Sequence, residues 1–272
     1  MKMPWICLGL LTLALIAFRA ESAPSSEQDI ETDFYEGLRQ RGLFSLTESS
    51  LQEHLEAEST TPTQRAYYRL ELSRTYALHA SQRIGTEQEE LWKLAQQVAQ
   101  QGVDEDEETR WSADLVVQNS LIPIEQTRFH LQQLRLTPHD EHARERLVEE
   151  LHSHLRKLRD LEKVLNRKSE NVLLRFRNDP LAISPYEFRR VQKRLIYEIA
   201  VVLSEIAEFE YSRDQDRSPP IRAALDRVRL LTSDAEDELL TWKGRLLSIR
   251  CQRLQGEYQT ARTELKRYQG EW

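Results

Sequence analysis

The chain has 272 residues, with 39% hydrophobic and 31% charged side chains and a formal net charge of -7. That apolar content excludes disorder throughout, and the acidic balance excludes a general electrostatic affinity for nucleic acid. Eight glycines and nine prolines in a chain rich in Leu, Glu, Arg, Gln and Ala point to helices.

Lys2 precedes an apolar stretch from Ile6 to Phe18, the order of charged and apolar regions in a secretory signal. The stretch is 13 residues long, whereas a membrane-spanning helix takes roughly 20. Small residues at Ala20 and Ser22 place the cut before Ala23, with Ala23 as the alternative last residue removed, which makes 1–22 a signal peptide and 23–29 a disordered leader. The expected location is the periplasm or the extracellular space. Cys7 leaves with the signal, so Cys251 stays as a single cysteine and no intramolecular disulfide forms.

Helix start and stop signals then divide the chain. The first helix is expected over 30–41, with Phe34, Leu38 and Arg41 on one face and Gly42 ending it. Ser45 and Glu48 form a capping-box pattern that opens a second over 46–57, and Thr61-Pro62-Thr63-Gln64 opens a third in the same way. A fourth over 87–101 carries Leu91, Leu94, Ala95 and Val98, with Gly102 as its stop. The acidic run 104–108 reads as a helix start rather than a calcium loop, because the central glycine is missing. Trp111, Leu115, Gln118 and Leu121 continue a fifth helix, which Pro123 kinks or divides from a sixth segment reaching Leu136.

From Pro138 to Arg177 there is no internal glycine or proline. Leu147, Leu151, Leu155 or Leu158, and Leu161 or Leu165 recur at helical spacing over a length of about 60 Å. After the break at Asn178-Asp179-Pro180, Ser184-Pro185-Tyr186-Glu187 caps a second long helix to about Ser212. Its face carries Phe188, Val191, Leu195, Ile199, Val202, Leu203, Ile206 and Phe209. The pair most simply folds as a long antiparallel hairpin, with coiled-coil packing across the seam left open. Shorter helices over 218–231, from 232 to about 255, and over 257–269 bring the expected total to about ten.

Two segments share a spacing: Gly42-x-Phe44-x-x-Thr47-x-x-x-Leu51 and Gly256-x-Tyr258-x-x-Ala261-x-x-x-Leu265. Glycine permits a tight turn, the aromatic packs back, and the small residue lets two helices approach. The pattern resembles the turn and second helix of a tetratricopeptide repeat (TPR), although Thr47 stands where the family usually has alanine. The resemblance implies an all-α, TPR-like α-solenoid, interrupted here by the long hairpin. The expected organisation is a TPR-like region over 30–136, the hairpin over 137–217 and a TPR-like pair over 218–272.

Such a resemblance implies protein binding on a concave face rather than catalysis. Tyr67, Tyr68, Arg69, Arg74 and Tyr76 mix aromatic and cationic groups, the chemistry interfaces favour. The competing reading has the tyrosines filling the repeat core with their hydroxyls at its edge. A second candidate surface joins Arg189, Arg190, Lys193 and Arg194 to Arg175 and Arg177. Between Arg144 and Arg194 there are 14 basic residues against 8 acidic ones. That excess suits an acidic partner or an anionic envelope polymer, or else a solvated helix face.

Four of the seven histidines lie between Pro138 and Leu155, but Glu149 and His152 form only one Glu-x-x-His pair where a di-iron bundle needs two. They read as surface histidines, and no metal or cofactor is implied. No Ser/His/Asp arrangement, phosphate loop or Cys-x-x-Cys pair is found. The expected function is an exported, non-catalytic interaction scaffold binding protein partners. The alternative is a helical accessory region or fragment of a larger exported enzyme or envelope assembly, since no polar capping helix follows Gly270-Glu271-Trp272.

Overall fold

The computed structural model describes residues 27–105, 108–135, 140–179, 181–210, 216–233 and 238–270. The proposed signal peptide, the start of the leader, Pro138, His139 and Pro180 lie outside the described residues. Among those described, the protein is all-α: ten helices and no strand. None is long and apolar enough to cross a membrane. The chain forms two compact units, one ending at Thr47 and one beginning at Glu48.

The first unit holds α1 (Glu27–Gln40) and the opening of α2 (Phe44–Glu56). Helix α1 begins inside the segment expected to be a disordered leader. Its buried residues are Tyr35, Leu38 and Arg39, with Phe34 exposed, a face rotated from the expected Phe34, Leu38 and Arg41. Gly42 adopts φ 71°. The Leu43 amide bonds to the Leu38 carbonyl (3.0 Å) and the Gly42 amide to the Arg39 carbonyl (2.9 Å), which is a Schellman ending. Because that turn is only three residues long, α2 starts at Phe44 and Ser45 lies inside the helix rather than capping it.

In the second unit follow α3 (Pro62–Ala80), α4 (Thr86–Asp104), α5 (Ser112–Leu134), α6 (Glu141–Asn178), α7 (Pro185–Phe209), α8 (Ser218–Thr232), α9 (Glu238–Leu254) and α10 (Tyr258–Gly270). Thr61 with Gln64 and Ser184 with Glu187 form complete capping boxes at α3 and α7. Asp140 caps α6 through the Ala143 amide (2.9 Å).

Two expected breaks are absent. Gly102 does not stop α4; it lies inside the helix, buried, where a Cβ would meet Leu115 Cδ2 at 2.8 Å. It is the point of close approach between α4 and α5. Pro123 does not divide α5, which runs unbroken for 23 residues. The proline withholds the amide that the Asn119 carbonyl would otherwise accept, and Gln96 Nε2 of α4 approaches that carbonyl at 3.5 Å. Burial of Leu121, Ile122 and Ile124 holds the helix together around the proline.

The main core joins Leu121, Ile124 and Leu131 of α5 to Leu151, Leu155 and Leu158 of α6 and to Leu195, Ile199 and Val202 of α7. It continues into Ile221 and Val228 of α8 and Leu247 and Cys251 of α9. Helix α6 has 38 residues, about 57 Å at 1.5 Å each. It lies beside α7, with Asn166 accepting from Gln192 (2.9 Å) and His152 Nε2 at 3.0 Å from Glu210. Burial holds the Cys251 thiol up at a pKa of about 11, which makes it an inert core side chain.

Candidate functional site

Helix α3 turns its aromatic residues inward. Tyr67 and Tyr76 are 1% and 5% exposed, Tyr68 5% and Arg69 9%. The Tyr67 ring lies 5.4 Å from Tyr68 and 5.1 Å from Trp111, and Tyr68 stacks on His54 at 4.8 Å. Gln52 Nε2 donates to the Tyr76 hydroxyl (2.7 Å), and burial raises that phenol's pKa. Arg69 Nη2 pairs with Glu105 at 2.5 Å. These positions are those of the core-filling reading, and a partner reaching the rings would have to open the helix packing.

Arg74 belongs to a different structure. Its Nη1 meets Glu71 at 2.6 Å and its Nη2 meets Asp114 of α5 at 3.4 Å. The same Asp114 oxygen faces Arg194 of α7, at 3.8 Å, whose Nη2 donates to Gln118 Oε1 (2.7 Å). Two residues from separate candidate surfaces thus face one carboxylate. Farther along α5, Arg128 pairs with Glu198 through Nη1 (2.7 Å) and with Glu205 through Nε (2.9 Å).

The electrostatics of this seam follow from its burial. Desolvation works against the charge on Arg128, but Glu205 and Glu198 outweigh it and raise its pKa. Arg74 is raised for the same reason, burial being outweighed by Glu71 and Asp114. Arg194 is lowered, because burial and the neighbouring Arg74 exceed the pull of Asp114. Burial raises Glu205 in spite of Arg128, and burial with Glu198 nearby raises Glu125.

Sequence reasoning missed this seam, although a signal for it exists. Asp114, Gln118, Glu125 and Arg128 recur along α5 at spacings of 4, 7 and 3, and Arg194, Glu198 and Glu205 along α7 at 4 and 7. Each set forms one polar stripe on its helix, and the two stripes face each other. Beside them, the Thr127 hydroxyl lies 3.2 Å from His154 Nε2 and 3.1 Å from Glu150. Thr127 is 3% exposed, so the three make a packed polar bridge and not an accessible nucleophile. Burial, with Lys157 nearby, lowers the pKa of His154.

The remaining basic candidates lie near the α6–α7 turn. Arg189 and Arg190 are exposed and Lys193 is half-buried. Arg175 reaches the Glu108 carbonyl and its carboxylate, both at 2.9 Å, and Arg110 pairs with Glu187. Exposed Leu173, Leu174, Leu181 and Tyr186 belong to the same stretch of chain. Elsewhere His79 Nδ1 is 2.7 Å from Glu48. Among the described residues, no three His, Cys, Asp or Glu side chains gather as metal ligands.

The two motif segments share one turn. Gly256 has φ 84°, the Glu257 amide bonds to the Gln252 carbonyl (2.9 Å) and the Gly256 amide to the Arg253 carbonyl (3.1 Å), repeating the Gly42 pattern bond for bond. Phe44 and Tyr258 then open their helices. The small residues Thr47 and Ala261 are both buried, but Phe44 and Leu51 are buried while Tyr258 and Leu265 are exposed. Compared with protein-family models, with curated proteins and with solved structures, the chain matches none.

Proposed function

We propose that the protein is an exported interaction scaffold in which TPR-like helix pairs hold protein partners, interrupted by a long antiparallel hairpin formed by α6 and α7. The observation that carries this reading is the repeated Schellman turn. Gly42 and Gly256 make the same two backbone bonds and release the next helix at the same position, Phe44 or Tyr258. A local device used twice to reverse a helix is what a degenerate repeat array requires.

In this proposal the partner docks where charge is exposed, at Arg189 and Arg190, and presents an acidic surface to them. The buried tyrosines of α3 stiffen the scaffold and do not contact the partner. Residues 1–22 act as the signal, cut before Ala23. A second reading, a helical accessory region of a larger assembly, is favoured by Tyr258, Leu265, Leu239 and Leu246, all exposed on α9 and α10.

Crosslinking the processed protein in the cells that make it, then identifying what is attached, tests the scaffold reading. Recovery of a specific protein at a constant ratio is expected, and recovery of none overturns it. Sequencing the amino terminus of the same material tests export, with Ala23 as the expected first residue.

A further inference from the structure

A cavity of about 1010 Å³ opens where the last turns of α5, α7 and α9 meet the first residues of α8 and α10. Arginine dominates its donors. Arg128 reaches it with Nη2 shielded from solvent and without a hydrogen-bond partner, although Nε and Nη1 are satisfied by Glu205 and Glu198. A buried donor left without a partner costs free energy.

Above it, Arg135 and Arg250 share a single carboxylate. The Nη2 atoms of the two arginines each lie 2.6 Å from one oxygen of Glu208. One negative charge between two guanidinium groups offsets the surplus carboxylate of Arg128 with Glu198 and Glu205, and each guanidinium keeps further N–H donors. Arg253 adds an exposed guanidinium at the rim, with no ion pair among the described residues. Of the opposing carboxylates, Asp216 accepts the Ser218 amide at the start of α8 (2.9 Å) and Glu205 holds Arg128, while Glu257 is exposed just before α10.

We infer that this cavity binds a phosphate-class oxyanion carried by a larger molecule. Arg135, Arg250 and Arg253 line the same cavity, and a tetrahedral anion has oxygens to meet more than one such donor at once. The net charge of the lining is small, so recognition rests on placed donors rather than on bulk attraction. The volume stands at the upper end of small-molecule sites, roughly 300–1,000 Å³, and leaves room for an organic remainder. The site is independent of the scaffold role.

The test titrates inorganic pyrophosphate into the full-length protein by calorimetry at low ionic strength, with vesicles of phosphatidylglycerol in phosphatidylcholine as a second arm. Saturable pyrophosphate binding is expected, weakened about tenfold or more by Arg250→Gln and by Arg253→Gln and unchanged by Arg222→Gln in another cavity. Arg253→Gln removes no ion pair recorded among the described residues, so its helical circular dichroism stays as in the parent. Vesicle binding alone, lost in the same two variants, assigns the phosphate to a lipid headgroup. Absence of binding in both arms, or binding that Arg250→Gln and Arg253→Gln leave intact, overturns the inference.

Discussion

The seam between α5 and α7 and the exposed end of the α6–α7 pair use the same residue type for opposite ends. In the seam, Arg74, Arg128 and Arg194 face Glu71, Asp114, Glu198 and Glu205 where water is largely excluded. At the exposed end, Arg189 and Arg190 lie on the surface five residues or fewer from Arg194. Surface charge contributes little to stability, whereas the removal of a buried charge strands its neighbours. A basic cluster read as one patch in sequence is therefore two things in the fold, and Arg194 is the residue that changes sides.

The largest effect should come from Arg128→Ala, which leaves Glu198 and Glu205 buried without their cation. A loss of about 3–5 kcal/mol is expected in urea unfolding. A loss within about 0.5 kcal/mol, the range of surface changes, would place Arg128 with the exposed group and break the contrast. Arg194→Gln should cost about 1–2 kcal/mol through its lost bond to Gln118, because burial and Arg74 already outweigh the pull of Asp114 on its charge. Arg189→Gln, five residues away, should cost less than about 0.5 kcal/mol.

Acid titration sharpens the contrast further, because two glutamates shift in opposite directions. Burial, with Glu198 adding to it, raises the pKa of Glu125 in the seam. Its contribution is therefore full below the unfolded value of about 4.3 and is lost as pH rises through the folded value. Glu187 shifts down: burial opposes the charge, but hydrogen bonds from Ser184 and the Arg110 guanidinium outweigh it. Its contribution is present above the unfolded value and is lost as pH falls through the folded one. Glu125→Gln should raise the urea midpoint at pH 7 relative to the parent, and Glu187→Gln should lower it. Shifts of the same sign in both variants would contradict the assignment.

Features set by local chemistry were legible in the sequence, the capping box at Ser45 excepted. The capping boxes at Thr61 and Ser184 and the glycine turns at Gly42 and Gly256 each depend on a few adjacent residues, and each lies where the spacing placed it. Features set by distant neighbours were not. Gly102 is punctuation in one dimension, but in the fold it is the gap into which Leu115 packs. Pro123 breaks helices in isolation, yet here α4 and the core hold α5 through it. The tyrosines of α3 show the same limit, because an aromatic-cationic mixture has the same composition whether it faces a partner or a core. The exposure of Arg189 and Arg190 was readable from charge density, while the pairing of Arg74 with Asp114 needed α3 and α5 to be side by side.

The proposed scaffold is tested most directly by quantitative crosslinking of the Arg189→Glu, Arg190→Glu double variant beside the parent, in the cells that make the protein. The account predicts that the double variant keeps the helical circular dichroism of the parent and loses the partner that the parent captures. Capture of the same partner in the same amount by the double variant would contradict it.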